Sequence, residues 1–537
     1  MSTRTPKKKP TLGSVAFVGA GPGDPQLLTL RAVELLRTAD LVVVDQAASR
    51  TAAQTYAPVN AEIVDASCGS DGAPLTVASR AKLVTAAAKR STVVVRLMDG
   101  DPMMFHGFAE EALACSKAGI GFEVVPGASA VTAVPGYAGI PLTTSRTRRV
   151  VVMGPHDGVV DATASADAHT TVVVLGDAAH IGDAALALVG AGRDSASPMA
   201  VTTQGSTTAQ RTLVSTLATV VRDLKSAGLP EPLLAVVGEG VEQRDRLSWF
   251  ESKPLFGWRV LVPRTKEQAG TLSEELRGHG AVPIEVPTIS VEPPRTPQQM
   301  DRAVHGLVSG RYQWIAFTST NAVRAVREKF EEYGLDARAF AGIKVAAVGE
   351  QTAAALVAFG VRPDLVPSGE QSAAGLLEDW PAYDDVFDPI NRVFLPRADI
   401  ATETLAAGLV ALGWEVEDVT AYRTVRAAPP PAETREAIKT GGFDAVLFTS
   451  SSTVRNLIGI AGKPHASTVV AVIGPQTAKT AEEHGLRVDV LAPSPSVHEL
   501  TEALAQFGAQ QRTVALEAGE AVWRPSLRKG AARRKAK

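Results

Sequence analysis

The sequence predicts an α/β protein made of two-lobed units with parallel sheets, and three observations lead to that prediction. Short apolar runs recur along the chain with helical patterns between them, the rhythm of alternating strand and helix. A glycine-rich turn, Gly19-Ala20-Gly21-Pro22-Gly23-Asp24, joins the first apolar run to the first helical stretch. Three short words recur in order in the second half, which marks a duplication. At 537 residues the chain is too long for one ordinary domain.

SVAFVG (14–19) reads as a buried strand, LLTLRAVELLRTA (27–39) as a helix, and Leu41–Asp45 as a second strand. Further strand-like runs fall at Val93–Leu97, Glu123–Val125, Val150–Met153, Thr171–Leu175 and Leu233–Gly238. The pattern breaks at 155–169 (PHDGVVDATASADAH), which places lobes at about 13–154 and 168–252. WFESKPLFG (249–257) then leads into a second domain over 257–510. There RVLVPR (259–264) matches RVFLPR (392–397), FTSTNAV (317–323) matches FTSSSTV (448–454), and VGEQTA (348–353) matches IGPQTA (473–478). The offsets are 133, 131 and 125 residues, so order and spacing are both nearly kept. A duplicated α/β unit has a cleft between its copies.

Composition narrows the function. The chain is 45% hydrophobic and 21% charged, as a globular protein is. Its net charge is −3, although residues 1–10 and 524–537 carry eleven basic residues and no acid. Both ends, 1–12 and 524–537, read as disordered solvated tails rather than as a nucleic-acid surface. Cys68 and Cys115 fit neither a disulfide framework nor a metal-ligand spacing, so no metal is expected. Without an apolar signal region or a membrane-length apolar run, a cytoplasmic location is expected.

The turn after the first strand brings backbone close to a ligand. A dinucleotide site competes for this reading, because Asp45 ends the second strand where a ribose-binding acid would stand. The spacing is G-x-G-x-G, however, and Asp24-Pro25 opens the helix. Asp is a good N-cap and Pro suits the first turn, but an acid there repels a pyrophosphate.

The opening VAFVGAGPGDPQLLTLRAVELLRTADLVVVD resembles that of uroporphyrinogen-III C-methyltransferases. VVRLMDGDP (94–102), FEVVPGASA (122–130), YAGIPLT (137–143) and QGSTTAQRTLVSTL (204–217) extend the likeness over roughly 14–250. The resemblance implies a two-lobed class III (tetrapyrrole) methyltransferase, often dimeric, that holds S-adenosylmethionine between its lobes. Carried over by position, Pro22, Gly100, Asp101, Met104, Ser129, Ala130, Leu175 and Gly205 would line the cofactor site, and Asp45 would accept a proton. The chain departs from that family where charge matters. Ala66 stands at about the place of a proposed proton-donating Lys, and Asp99 replaces a Gly. An Arg is missing from Phe105-His106-Gly107, and Thr144-Ser145 replaces His-Arg. A carboxylate-rich porphyrinogen needs cations or strong backbone donors, so cofactor binding is expected and methylation is reduced or lost.

In the second half the repeated words sit where strands pass into helices. Helix N-termini and Ser/Thr hydroxyls there either cap helices or bind anions, and two matched sets favour a polyanionic ligand. The 133-residue offset maps Tyr422 onto Ile289, so one copy has a phenol where the other has an aliphatic chain. Tyr422 either packs for area or moves a proton.

Over 258–507 the chain resembles uroporphyrinogen-III synthase, through RVLVPR, FTSTNAV, VAAVGEQTAAAL, VTAYRTV, FDAVLFTSSSTV and AVIGPQTAKTA. That implies lobes at about 258–290 plus 427–510 and 296–417, joined by a two-stranded ladder that carries Ile289 and Tyr422. It implies no cofactor for this half, hydroxymethylbilane as substrate and uroporphyrinogen III as product. It also implies Tyr422 as general acid, with Arg264, Thr318, Ser319, Thr352, Ser450, Ser451 and Thr477 holding carboxylates. Two other classes stand beside this reading: a ligand-binding regulator with a duplicated cleft, and a nicotinamide-dependent oxidoreductase.

Overall fold

A computed structural model describes residues 13–45, 47–69, 71–154, 162–263, 266–519 and 523–527. The chain divides into two compact units. One holds residues up to 258 with 276–282 and 508–518; the other holds 259–275, 283–507 and 519 onward.

The first lobe of the N-terminal unit is a parallel sheet, ordered β3-β2-β4-β1-β5. Its strands are β1 (Ser14–Gly19), β2 (Leu41–Val44), β3 (Glu62–Asp65), β4 (Val93–Met98) and β5 (Phe122–Val125). Both faces are covered, as alternation along β1 shows. Val15 and Phe17 enter one core with Leu41, Val43 and Val84, whereas Ala16 and Val18 enter another with Leu35, Leu36 and Val44. Full burial of each such side chain contributes about 1.5–3 kcal/mol. Asp24 behaves as its sequence position predicts: its carboxylate accepts from Gln26 N at 2.9 Å and Pro25 opens a short 3₁₀ turn. The expected helix 27–39 is shorter, Leu30–Arg37, because Thr29 caps it by accepting from Ala32 N.

The second lobe holds β6 (Arg149–Met153), β7 (Thr170–Gly176), β8 (Pro198–Thr203), β9 (Arg211–Thr216) and β10 (Leu233–Val237), ordered β6-β7-β10-β8-β9. Only β6 and β7 pair in parallel; the rest are antiparallel.

The C-terminal half adds β11 (Arg259–Val262), β12 (Val282–Glu285), β13 (Ile289–Glu292), β14 (Trp314–Phe317), β15 (Lys344–Ala347), β16 (Arg392–Ala398), β17 (Glu415–Arg426), β18 (Ala445–Phe448), β19 (Val469–Val472) and β20 (Val490–Leu491). They form two sheets, β12-β11-β18-β19-β20 and β13-β17-β16-β14-β15. The chain opens the first sheet, builds the whole second sheet, and returns to complete the first.

The two-stranded ladder is β13 with β17, where Ile289 pairs with Arg426 and Glu292 with Arg423. Strand β17 does not stop near 417. It runs unbroken to Arg426, so the ladder extends the second sheet. Tyr422 therefore lies one residue beyond the ladder and is not opposite Ile289. The register of β16 on β17 also slips there: Arg397 faces Thr420, but Ala398 faces Tyr422. This bulge leaves consecutive residues, Ala421 and Tyr422, both buried.

The C-terminal tail requires correction. Residues 525–527 form a 3₁₀ turn, Arg524 ion-pairs with Asp444 at 3.0 Å, and Ser526 N donates to the same carboxylate at 2.9 Å. Asp444 is fully buried, and its charge needs these donors. The expected tails at 1–12 and beyond 527 lie outside the described residues.

Candidate active sites

Three turns at the carboxyl edge of the first sheet pack backbone to backbone. Gly100 N donates to Gly21 O at 2.8 Å, and Gly21 N returns a bond at 3.2 Å. A Cβ on Gly19 would lie 2.5 Å from the Gly127 backbone, and one on Gly127 would lie 2.3 Å from Gly100 O. Only glycine allows these loops to converge. Asp101 ties them together by accepting from Met103 N at 2.8 Å and Gly127 N at 3.1 Å.

A cavity of about 660 Å³ opens above this edge, and both lobes of the N-terminal unit line it. Pro22, Gly100, Asp101 and Met104 reach it from the turns after β1 and β4, and Ser129 and Ala130 from the start of the helix Ala130–Ala138. Leu175 and Gly205 come from the second lobe. All eight positions singled out in the sequence thus meet on one cavity. Its wall is largely apolar with neutral polar residues such as Thr51, Thr202 and Gln204; Asp99 and Asp101 line it with His106, and no Lys or Arg does so among the described residues. Arg146, Arg148 and Arg149 are exposed, and Arg149 pairs with Asp167 at 3.6 Å.

Asp45 follows β2, is not among the residues that line the cavity, and is bound to a buried charge network that the sequence did not reveal. Arg96 on β4 is fully buried and donates to Asp45 Oδ2 at 2.7 Å and Glu111 Oε2 at 2.8 Å. Arg80 adds a second cation on Glu111 at 3.2 Å. Ala66 is buried and offers no polar side chain. Asp99 forms no ion pair among the described residues, although the Arg96 charge lowers its carboxyl slightly. Burial pushes its carboxyl up to about 6 against a hydrogen bond from Ser49, and the nearby Asp45 adds to the rise.

In the C-terminal unit, Tyr422 Oη and Ser319 Oγ lie 2.9 Å apart. Ser319 also caps the helix Thr320–Glu332 through Ala322 N. Tyr422 lines a pocket of about 300 Å³ with Asn321, Arg324 and Lys329. Thr318 stands partly exposed next to Ser319. Ser450 forms a capping box with Thr453 at the matching helix Ser451–Ala461, and Ser451 Oγ donates to Gln476 O at 3.1 Å. Thr352 and Thr477 occupy matching positions in the two copies. Each is the third residue of its helix, where the side chain turns into the core, and they are 6% and 4% exposed. Arg264 lies outside the described residues. Its repeat partner Arg397 is buried and spent on Asp418, Glu403 and the Thr402 carbonyl, so it serves the fold.

Comparison with known proteins matches these two modules. Residues 14–221 match the model of the Tetrapyrrole (Corrin/Porphyrin) Methylases, and residues 270–502 match that of uroporphyrinogen-III synthase HemD. The fold and its two sites define a fused enzyme of tetrapyrrole biosynthesis. A porphyrin biosynthesis protein HemD from Ruminiclostridium josui is 31% identical over 92% of this chain and 98% of its own length. The uroporphyrinogen-III C-methyltransferase of Bacillus subtilis (strain 168) is 30% identical over 63% of this chain and 70% of its own. Siroheme synthase of Methylococcus capsulatus, at 35% identity, is covered over 53% of its length. A uroporphyrin-III C-methyltransferase structure from Thermus thermophilus, complexed with S-adenyl homocysteine, is 31% identical and covers 43% of this chain and 93% of its own, with a TM-score of 0.37. The chain belongs to the porphyrin-biosynthesis HemD family, as a tetrapyrrole methylase domain followed by a uroporphyrinogen-III synthase domain.

Proposed function

We propose that the C-terminal unit closes hydroxymethylbilane into uroporphyrinogen III, and that the N-terminal cavity binds S-adenosylmethionine but methylates that product slowly or not at all. The observation that carries the first part is the Tyr422–Ser319 hydroxyl pair beside the β17 bulge. Hydroxymethylbilane must lose its terminal hydroxyl as water, leaving an electrophilic azafulvene. A phenol held by a serine hydroxyl assists that departure as general acid. Ring D then attacks through its substituted carbon, and the spiro intermediate reopens and closes inverted. Unassisted closure gives the type I isomer, so holding the chain in one fold is the main task. The capped helix ends at Ser319 and Ser450 supply positive backbone ends to substrate carboxylates.

For the N-terminal unit, an apolar cavity with glycine backbone on one side and carboxylates at its floor suits a cationic nucleoside. When bound, that cofactor supplies an activated methyl group. Pro22, Gly100, Asp101, Met104, Ser129, Ala130, Leu175 and Gly205 would hold it, and Asp45 would take the proton released by a pyrrole. The loss of basic residues at three places, Ala66, Gly107 and Thr144-Ser145, supports weak methylation. The test is an isomer assay on hydroxymethylbilane with and without S-adenosylmethionine. Type III product is expected in both; type I product alone would overturn the synthase reading. A methylated product formed as fast as the cyclised one would overturn the second.

A further inference from the structure

The loop that follows β4 is held in a strained shape around one histidine. Gly100 (φ +64) and Gly107 (φ +76) bound the loop in the left-handed region, and Phe105 (φ +65) adopts that region without being glycine. Such strain persists only where the surroundings fix the residue, and it gathers at functional sites. Here the Phe105 ring is fixed against Gly154, where an added Cβ would lie 2.5 Å from it. The next residue, His106, lines the N-terminal cavity. Among the described residues it is the one on that wall whose side chain can become a cation.

Its geometry suits a ligand. The ring nitrogens of His106 have no hydrogen-bond partner among the described residues, and neither is fully enclosed, unlike the unpaired Oδ1 of Asp99. Nε2 stands over the glycine floor: a Cβ added to Gly100 would lie 3.5 Å from Nε2 and 3.6 Å from Ala130 N. Ala130 opens the helix Ala130–Ala138, so its N–H has no partner within that helix. Two donors thus converge on one small space. Position 107 cannot supply a cation instead, because its φ disfavours any side chain and a Cβ there would lie 2.8 Å from Val77 Cγ1. The charges acting on the imidazole are Asp45 after β2, Arg96 on β4, Arg80 on the helix Val77–Arg90 and Asp101 on its own loop. Two acids and two cations oppose each other, and burial holds the imidazole below its usual range, in the neutral form.

We propose that His106 is a carboxylate anchor of this cavity, its Nε2–H donating to an acid group of the occupant. That group is either the amino-acid carboxylate of the cofactor or a side-chain carboxylate of a tetrapyrrole, which offer the same acceptor. This rests on the reading that the cavity takes such ligands. A bound carboxylate favours the imidazolium, so the anchor takes up a proton as it binds.

Full-length wild type, His106→Gln and His106→Leu are titrated by calorimetry at pH 7 in buffers of different ionisation enthalpy. S-adenosylhomocysteine is added first, and uroporphyrin III is then added to the saturated protein. One of these titrations should take up a substantial fraction of a proton in the wild type and none in either variant. For that ligand His106→Leu should bind roughly tenfold or more weakly, and His106→Gln, which keeps a neutral donor, should fall between. Histidine nitrogen NMR signals that are absent from His106→Gln should move towards the imidazolium position with the same ligand. Uptake in the first titration assigns the anchor to the cofactor, and methylthioadenosine, which lacks the carboxylate, should then bind without uptake. Uptake in the second assigns it to the tetrapyrrole. No uptake by the wild type with either ligand, uptake shared with His106→Gln, or unchanged affinity of His106→Leu for both ligands overturns the proposal. Failure of the wild type to bind S-adenosylhomocysteine overturns the cofactor reading instead, and uroporphyrin III added to the free protein then decides the role of His106. Binding of neither ligand overturns both.

Discussion

Tyr422 and Ser319, 103 residues apart, meet hydroxyl to hydroxyl at 2.9 Å, and a strand bulge one residue before Tyr422 makes the meeting possible. Tyr422→Phe should slow formation of the type III isomer by about 10²-fold, the low end for general acid assistance because water can substitute. Ile289→Val, one strand away and opposite Arg426, should change little. Initial rates with isomer analysis decide this; equal, small effects would reduce Tyr422 to a packing residue.

Arg96 holds two acids from a fully buried position. Arg96→Met leaves Asp45 uncompensated and Glu111 with Arg80 alone, and should destabilise the N-terminal unit by about 3–5 kcal/mol. Chemical denaturation of the full chain measures it, and a loss under about 1 kcal/mol would mean that the network is spread over other partners.

The sign of the Asp99 effect on stability follows from its raised carboxyl, at about 6 in the folded protein against an ordinary value near 3.8. The folded state binds more protons than the unfolded one between these values. Stability from this group is therefore fully present below about pH 4 and lost as pH rises through 6. Asp99→Asn should flatten that decline in melting curves from pH 4 to 7; parallel curves for the two proteins would refute the assignment.

Ending the chain after Leu527 should leave cyclisation unchanged, as should removal of residues 1–10. Ending it after Ala518 removes Arg524 and Ser526 from the Asp444 carboxylate, which keeps, among the described residues, Arg259 N at 2.8 Å. A stability loss of about 1–3 kcal/mol is expected. Indistinguishable urea midpoints for the two truncations would show that the turn at 525–527 is dispensable.

Full-length protein incubated with uroporphyrinogen III and methyl-labelled cofactor should incorporate label slowly or not at all. Rapid dimethylation would show that the cavity does without a side-chain cation.

The glycine turn, the N-cap at Asp24 and the duplication were all legible in the sequence, because each follows from local conformation or from repeated words. The eight cavity positions were legible only through the family resemblance, and they converge on one cavity. The Arg96 network was not legible. Its members come from β2, β4 and two helices, and nothing local says that Arg96 points inward. Asp99 showed in the sequence as a replaced glycine, but its missing counter-ion exists only in three dimensions. The constant-offset mapping of Tyr422 onto Ile289 compares the two copies and says nothing of cross-strand neighbours: Ile289 pairs with Arg426, and Tyr422 stands opposite Ala398.

The position of β11 between β12 and β18 has a consequence for the birth of the protein. Asp444, just before β18, bonds to Arg259 at the start of β11 across 185 residues of chain. At ribosomal speeds of about 5–20 residues per second, β11 waits roughly 10–40 s for its partner to be made. The sheet β13-β17-β16-β14-β15 is complete by Arg426 and can fold in that interval, while β11 and β12 emerge as an unfinished edge. Their protection during synthesis depends on chaperones or on the speed of translation itself, and slowed codons between 263 and 445 should raise aggregation of the nascent chain without altering the finished enzyme.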